Sequence, residues 1–273
     1  MAKGPIKERI VVVQYEALRE DVYRQVCGAL GDFLRTRMTE TFHEERLNIP
    51  GIALPLPTVG DIEPNWKDLK VLIDRPSRFW NESKTKCVQF FKDSLTVNLI
   101  SSNEDVEFTH LDLLAFFEKI QPFLDFHRAE FHISSIGIDY QNVLAGSELR
   151  SYTADEGRSL QLDKILQERF LGQKIEGTAF VAPILHKFAY ESKPRSLDGR
   201  PINLSVEISI PHSPTVGRWC VVVMLSTRAK FTMATDKHLL KECLLQLHSM
   251  VSKGYYAVFT DNITGGNIDK ERM

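Results

Sequence analysis

Apolar and polar residues alternate with period two in some stretches and recur near period 3.6 in others. Ile6 to Tyr15 reads as a strand centred on Val11, Val12 and Val13, because three β-branched residues in a row favour an extended backbone. Leu18, Val22, Val26, Leu30 and Phe33 then line one face of a helix over Leu18 to Met38. Four prolines (Pro50, Pro55, Pro57 and Pro64) exclude an ordinary helix between Leu47 and Pro64. The aliphatic Ile49, Ile52, Leu54 and Leu56 of that segment suit a surface-bound strap better than a free tether. A strand is expected at Trp66 to Asp74. A hairpin follows, with Lys92-Asp93-Ser94 turning between Thr85–Phe91 and Leu95–Ser101.

The helix from Thr109 to Phe126 carries a capping signal, Thr109 with Asp112 three residues on. Leu113, Phe117, Ile120 and Leu124 form its buried stripe, and Pro122 interrupts it. Glu130 to Gln141 is a strand whose apolar phase changes after Phe131 and Ile133, so that Ile136, Ile138 and Tyr140 take over. One inserted residue explains this, and the pattern predicts a β-bulge at Ser134 or Ser135. Ala145 to Arg158 reads as loop, Leu160 to Phe170 as a short helix, and Gly177 to Tyr190 as strand. Asp198-Gly199 marks a turn. Ile202 to Ile210 alternates without a break, and Trp219 to Ser226 is a central strand. A last helix begins at Thr235 or Asp236 and runs to Phe259, its stripe being Leu240, Leu244, Leu247, Val251, Tyr255 and Val258.

Both halves place adjacent strands before a long amphipathic helix. The expected fold is therefore α+β, with mostly antiparallel strands and two similar sheet-and-helix halves, 1–145 and 146–273, packed as one unit. Hydrophobic residues make up 43% of the 273-residue chain and charged residues 26%, as in ordinary globular proteins. With 34 Lys and Arg against 36 Asp and Glu, the net charge of −2 argues against a blanket nucleic-acid binder. The four cysteines, Cys27, Cys87, Cys220 and Cys243, are too scattered for a metal knuckle or a disulfide scaffold. No apolar run approaches the roughly 18 residues of a membrane helix, and the N-terminus lacks a signal-peptide core. A cytoplasmic protein without a membrane anchor is the expectation.

The opening PIKERIVVVQY, the strand HISSIGIDYQN and the terminal LHSMVSKGYYAVFTDNI together resemble a family of uncharacterised, sporadically distributed bacterial proteins. Gly137, Tyr140 and Asn142 match the family's Gly-x-x-Tyr-x-Asn strand. Leu244, His248, Phe259, Thr260 and Asp261 match its Leu-x-x-x-His helix and the Thr-Asp step after it. The chain departs from the family at Leu47 to Pro64 and in the final NITGGNIDKERM. The resemblance implies a bacterial or phage origin and a shared α+β fold, and it brings no established activity.

Candidate chemistry is sparse. A metal-dependent nuclease needs a carboxylate followed by an acid and a lysine two apart. Glu82-Ser83-Lys84 with Asp74, and Glu191-Ser192-Lys193 with Asp163, meet that spacing, but neither triplet lies inside an apolar strand. His238 and Glu242 share a helix face without a third metal ligand, and no nucleophile elbow or phosphate loop occurs. Lys193, Arg195, Arg200, Arg218, Arg228 and Lys230 would make one end of the second sheet basic, the basis of a nucleic-acid alternative, although Glu191, Asp198 and Glu207 are interspersed. The sequence therefore points to a non-enzymatic binding protein that uses no cofactor or metal. Its expected partner is another protein or a second copy, with Ile49, Ile52, Leu54 and Leu56 as the docking residues.

Overall fold

The valine run sits at the middle of the molecule. The computed structural model describes residues 6–45, 76–101, 108–145, 149, 151–154, 159–167, 186–191, 195–197, 200–210, 212–213, 218–230 and 237–264. It is a single α+β domain built on one antiparallel sheet. β1 (Ile6–Tyr15) pairs with β5 (Ser94–Ile100) on one side and β6 (Ile133–Ala145) on the other. Outward from β5 come β4 (Lys86–Phe90), β3 (Ser77–Asn81) and β2 (Phe42–Glu44). Outward from β6 come β13 (Arg218–Lys230) and β11 (Arg200–Ile210), whose outer edge pairs with both β9 (His186–Glu191) and β10 (Arg195–Leu197). Short β12 (His212–Ser213) pairs with β13, and β7 (Thr153–Ala154) pairs with β8 (Ser159–Leu160) apart from the main sheet.

The helices are α1 (Glu20–Arg37), α2 (His110–Phe126), α3 (Lys237–Val258) and the single turn α4 (Asp261–Thr264). Val11, Val13 and Tyr15 of β1, Leu95, Val97 and Leu99 of β5, and Ile136 and Ile138 of β6 belong to one buried cluster. The cluster also takes in Val26, Leu30 and Leu34 of α1, Leu113, Phe117 and Ile120 of α2, and Leu244, Leu247 and Val251 of α3. Period-two and period-3.6 apolar positions thus meet in one core. Among the described residues no helix is long and apolar enough to cross a membrane.

Local chemistry accounts for the element ends. Thr109 caps α2: its hydroxyl accepts the Asp112 N–H, and the Asp112 carboxylate accepts the Thr109 N–H, a reciprocal capping box. α1 has no side-chain cap, but Glu20 and Asp21 in its first turn and Arg35 and Arg37 in its last complement the helix dipole. The bulge lies at Ser134. Gln14 faces Ser135 and Tyr15 faces Ile133, leaving Ser134 as the extra residue, while β6 keeps unbroken register with β13.

The expected stripe of α1 meets the core: Leu18, Val26 and Leu30 are buried in it, Val22 and Phe33 pack against it, and Gly31 and Leu34 join them, Gly31 lying against the Phe79 ring. Two local expectations differ from the structure. β2 and β3 were not anticipated, because at three and five residues they are too short to show a period-two pattern. The helix expected at Leu160–Phe170 is, within the described residues, only a 3₁₀ turn at Leu162–Lys164. Its following backbone bonds elsewhere: Gln167 N–H donates to Val258 O, and Ile165 O accepts the Thr260 N–H. The strap 47–64 and the strand 66–74 lie outside the described residues.

Candidate functional site

Arg9 and Tyr140 face each other directly across the β1–β6 pair, on the side of the sheet that carries the helices. The Arg9 guanidinium carbon stands 5.5 Å from the centre of the Tyr140 ring, in range for a cation–π contact. Tyr140 OH lies 2.6 Å from His248 Nδ1 on α3. The His248 ring stacks on His110, the first residue of α2, with centroids 3.9 Å apart and planes 12° from parallel. Ser252, one turn further along α3, brings its hydroxyl to 3.4 Å from the His248 ring nitrogens. β1, β6, α2 and α3 therefore contribute to one polar cluster in an otherwise apolar interior.

Burial pushes the His248 pKa down to about 4, with His110 and Arg9 adding repulsion against a second cation. At neutral pH the ring is uncharged. Arg9 and Tyr140 are buried, whereas His110, His248 and Ser252 are half-buried, so the cluster opens to solvent along the α2–α3 line. Leu111 follows His110 on α2 and is 61% exposed, and Leu245, one turn before His248 on α3, is 39% exposed.

The sheet's opposite face holds a second polar group. Asp139 makes a two-pronged ion pair with Arg228 of β13. Gly137 makes this possible: a Cβ there would lie 2.3 Å from Thr227 O and 2.4 Å from the Arg228 side chain. Asn98 donates to the carboxylate of Glu8, whose pKa is raised chiefly by burial. Asn142 serves the backbone, donating to Tyr140 O and Val223 O beside a second register irregularity where β1 carries Lys7 as an extra residue.

The sequence-nominated residues do not converge. Lys84 sits in the β3–β4 turn with φ 57°, its amine 5.2 Å from the Trp80 ring centre, and Glu82 is exposed beside it. Asp163 is exposed in the 3₁₀ turn. Glu191 closes β9, and Arg195, Arg200 and Arg218 begin β10, β11 and β13. Arg228 is occupied by Asp139, and Lys230 is exposed at the far end of β13. Asp74, Lys193, Ile49, Ile52, Leu54 and Leu56 lie outside the described residues. Among those described, no group of three or more His, Cys, Asp and Glu side chains gathers as a metal ion would require.

Arg9 and His110 escaped the sequence reading. Arg9 occupies a core-facing position of a strand, Arg9-Val11-Val13-Tyr15, and that charged residue in an apolar phase was the available signal. No family model matches the chain, and no curated protein matches it.

Proposed function

We propose that this chain is a non-enzymatic binding protein whose partner, another protein or a second copy, engages the α2–α3 junction. The observation that carries this reading is the composition of the junction. Arg9, His110, His248, Tyr140 and Ser252 supply mostly hydrogen-bond donors and cationic or neutral groups, with no carboxylate set against His248 as an orienting base. The carboxylate nearest in sequence to His110, Asp112, is held in the α2 cap. Such a set holds a ligand but lacks the ordered proton path of a hydrolase. Leu111 and Leu245 give a protein partner apolar surface on either side.

The two-halves reading supports the same location. One wing runs β1-β5-β4-β3 and is followed in sequence by α2; the other runs β6-β13-β11-β9 and is followed by α3. With β1 matched to β6 and α2 to α3, the junction is where the two wings meet. The bacterial family resemblance adds that Tyr140 and His248, from two separate motifs, are hydrogen-bonded to each other. Cytoplasmic location stays part of the proposal.

Sedimentation and affinity capture test it together. Leu111→Ser with Leu245→Ser should leave the melting temperature nearly unchanged and weaken self-association or capture of the bound protein. Unchanged association in the double variant, or a turnover activity that requires His248, would contradict the reading.

A further inference from the structure

Arg9 is 8% exposed, yet among the described residues its guanidinium makes no hydrogen bond and no ion pair. Its recorded contact is the Tyr140 ring. A guanidinium stays protonated in proteins and carries five donors in a fixed fork. Donors left without a protein acceptor are available to a ligand that can accept from them. The surroundings add further donors. The 17-residue helix α2 begins at His110, so the positive end of its dipole lies at the same junction. His110 and His248 add ring N–H groups and no negative charge. Asp112, the acid in that first turn, is hydrogen-bonded to Thr109, and these bonds, with the Arg9 charge adding to them, hold its carboxyl below the ordinary range.

We propose that the α2–α3 junction binds a phosphate group, with Arg9 as its principal ligand and the His110 and His248 rings and the α2 N-terminus as supporting donors. The guanidinium's five donors, none of them hydrogen-bonded among the described residues, call for an oxygen-rich anion. The donors come from β1, α2 and α3, which suits a tetrahedral oxyanion accepting in several directions better than a planar carboxylate. This inference rests on the binding reading above and names the chemistry that its site recognises. The phosphate is either free or carried on an amino-acid side chain of the partner, and two probes separate these sources.

The test is thermal unfolding of the full chain titrated with inorganic phosphate and with O-phosphoserine, against acetate and against sodium chloride at matched ionic strength. A ligand that binds only the folded state raises Tm with its concentration. Either phosphate probe should raise Tm by several degrees, while acetate and chloride should not. The more effective of the two identifies the source. Arg9→Met should abolish the shift and, without phosphate, should melt close to wild type, because it keeps packing on the Tyr140 ring and removes a group that makes no hydrogen bond among the described residues. If Arg9→Met does not fold, ³¹P line broadening on wild type and Arg9→Lys replaces it, and Arg9→Lys should weaken the broadening several-fold. No phosphate-specific shift, an equal shift with acetate or chloride, an equal shift in Arg9→Met, or equal broadening in Arg9→Lys would overturn the proposal. Partner capture by the Leu111/Leu245 experiment needs no phosphate. Loss of the phosphate effect with capture intact therefore sinks this inference alone, and loss of both sinks the binding reading as well.

Discussion

Single residues here carry charge into places where charge is expensive, and each has a measurable consequence. His248 is the clearest. Its folded pKa of about 4 lies below the ordinary value of 6.5, so below pH 6.5 the unfolded chain takes up a proton that the folded chain refuses. Stability therefore falls as pH drops from 6.5 towards 4, by up to about 3 kcal/mol from this group, and the contribution is fully present above that window. The groups around it (Tyr140, His110, Arg9 and Ser252) include no carboxylate that would offset the loss. Urea unfolding at several pH values should show the slope, and His248→Asn should flatten it; equal slopes would place His248 in a solvated setting. Gly137 makes the complementary point about space. Gly137→Ala drives a Cβ into the Thr227 carbonyl and the Arg228 chain, and should cost about 1–3 kcal/mol in the same assay. Within the motif Gly137-x-Asp139, glycine makes room for the arginine that the aspartate binds. The sequence marked Gly137 through the Gly-x-x-Tyr-x-Asn strand but not its link to Asp139, because Arg228 is distant in the chain and reaches Asp139 only through the β6–β13 ladder.

At the scale of elements, local signals read well wherever local physics decides the outcome. β1 has the predicted limits, because a β-branched run needs no tertiary help to stay extended. α2 starts at the predicted cap, and Thr109→Ala should cost about 0.5–2 kcal/mol by urea unfolding, with a loss under a few tenths speaking against the capping box. The stripe Leu244, Leu247, Val251, Tyr255 and Val258 is buried as its spacing requires. Leu244→Ala or Val251→Ala should accordingly cost about 2–5 kcal/mol, and a value under 1 would place α3 on the surface. Reading failed where a distant partner decides. Leu162 O accepts from Ile165 and Leu166 in one tight turn, but Ile165 O and Gln167 N–H then bond Thr260 and Val258 at the end of α3, so a helical apolar pattern became a 3₁₀ turn and a bridge from Leu166 to Phe259. Short β3 exists because β4 offers it an edge, and β3 offers the next edge to β2.

For the whole molecule, the position of the site follows from topology. The central β1–β6 pair sets Arg9 against Tyr140, and the helices that follow β5 and β13 set His110 against His248. No spacing along the chain announces this, since Arg9, His110, Tyr140 and His248 fall in four separate elements. The sequence did mark Tyr140 and His248 through the family resemblance, while Arg9 remained hidden inside an apolar strand and His110 at a helix start. We propose this junction as the place where the protein binds. The most direct measurement is an NMR titration of the histidine imidazole resonances with inorganic phosphate at constant ionic strength. Binding there should give saturable shifts of His110 and His248 that vanish in Arg9→Met, while His43, on the edge strand β2, stays still. Shifts of all the histidines alike, or none at His110 and His248, would contradict it.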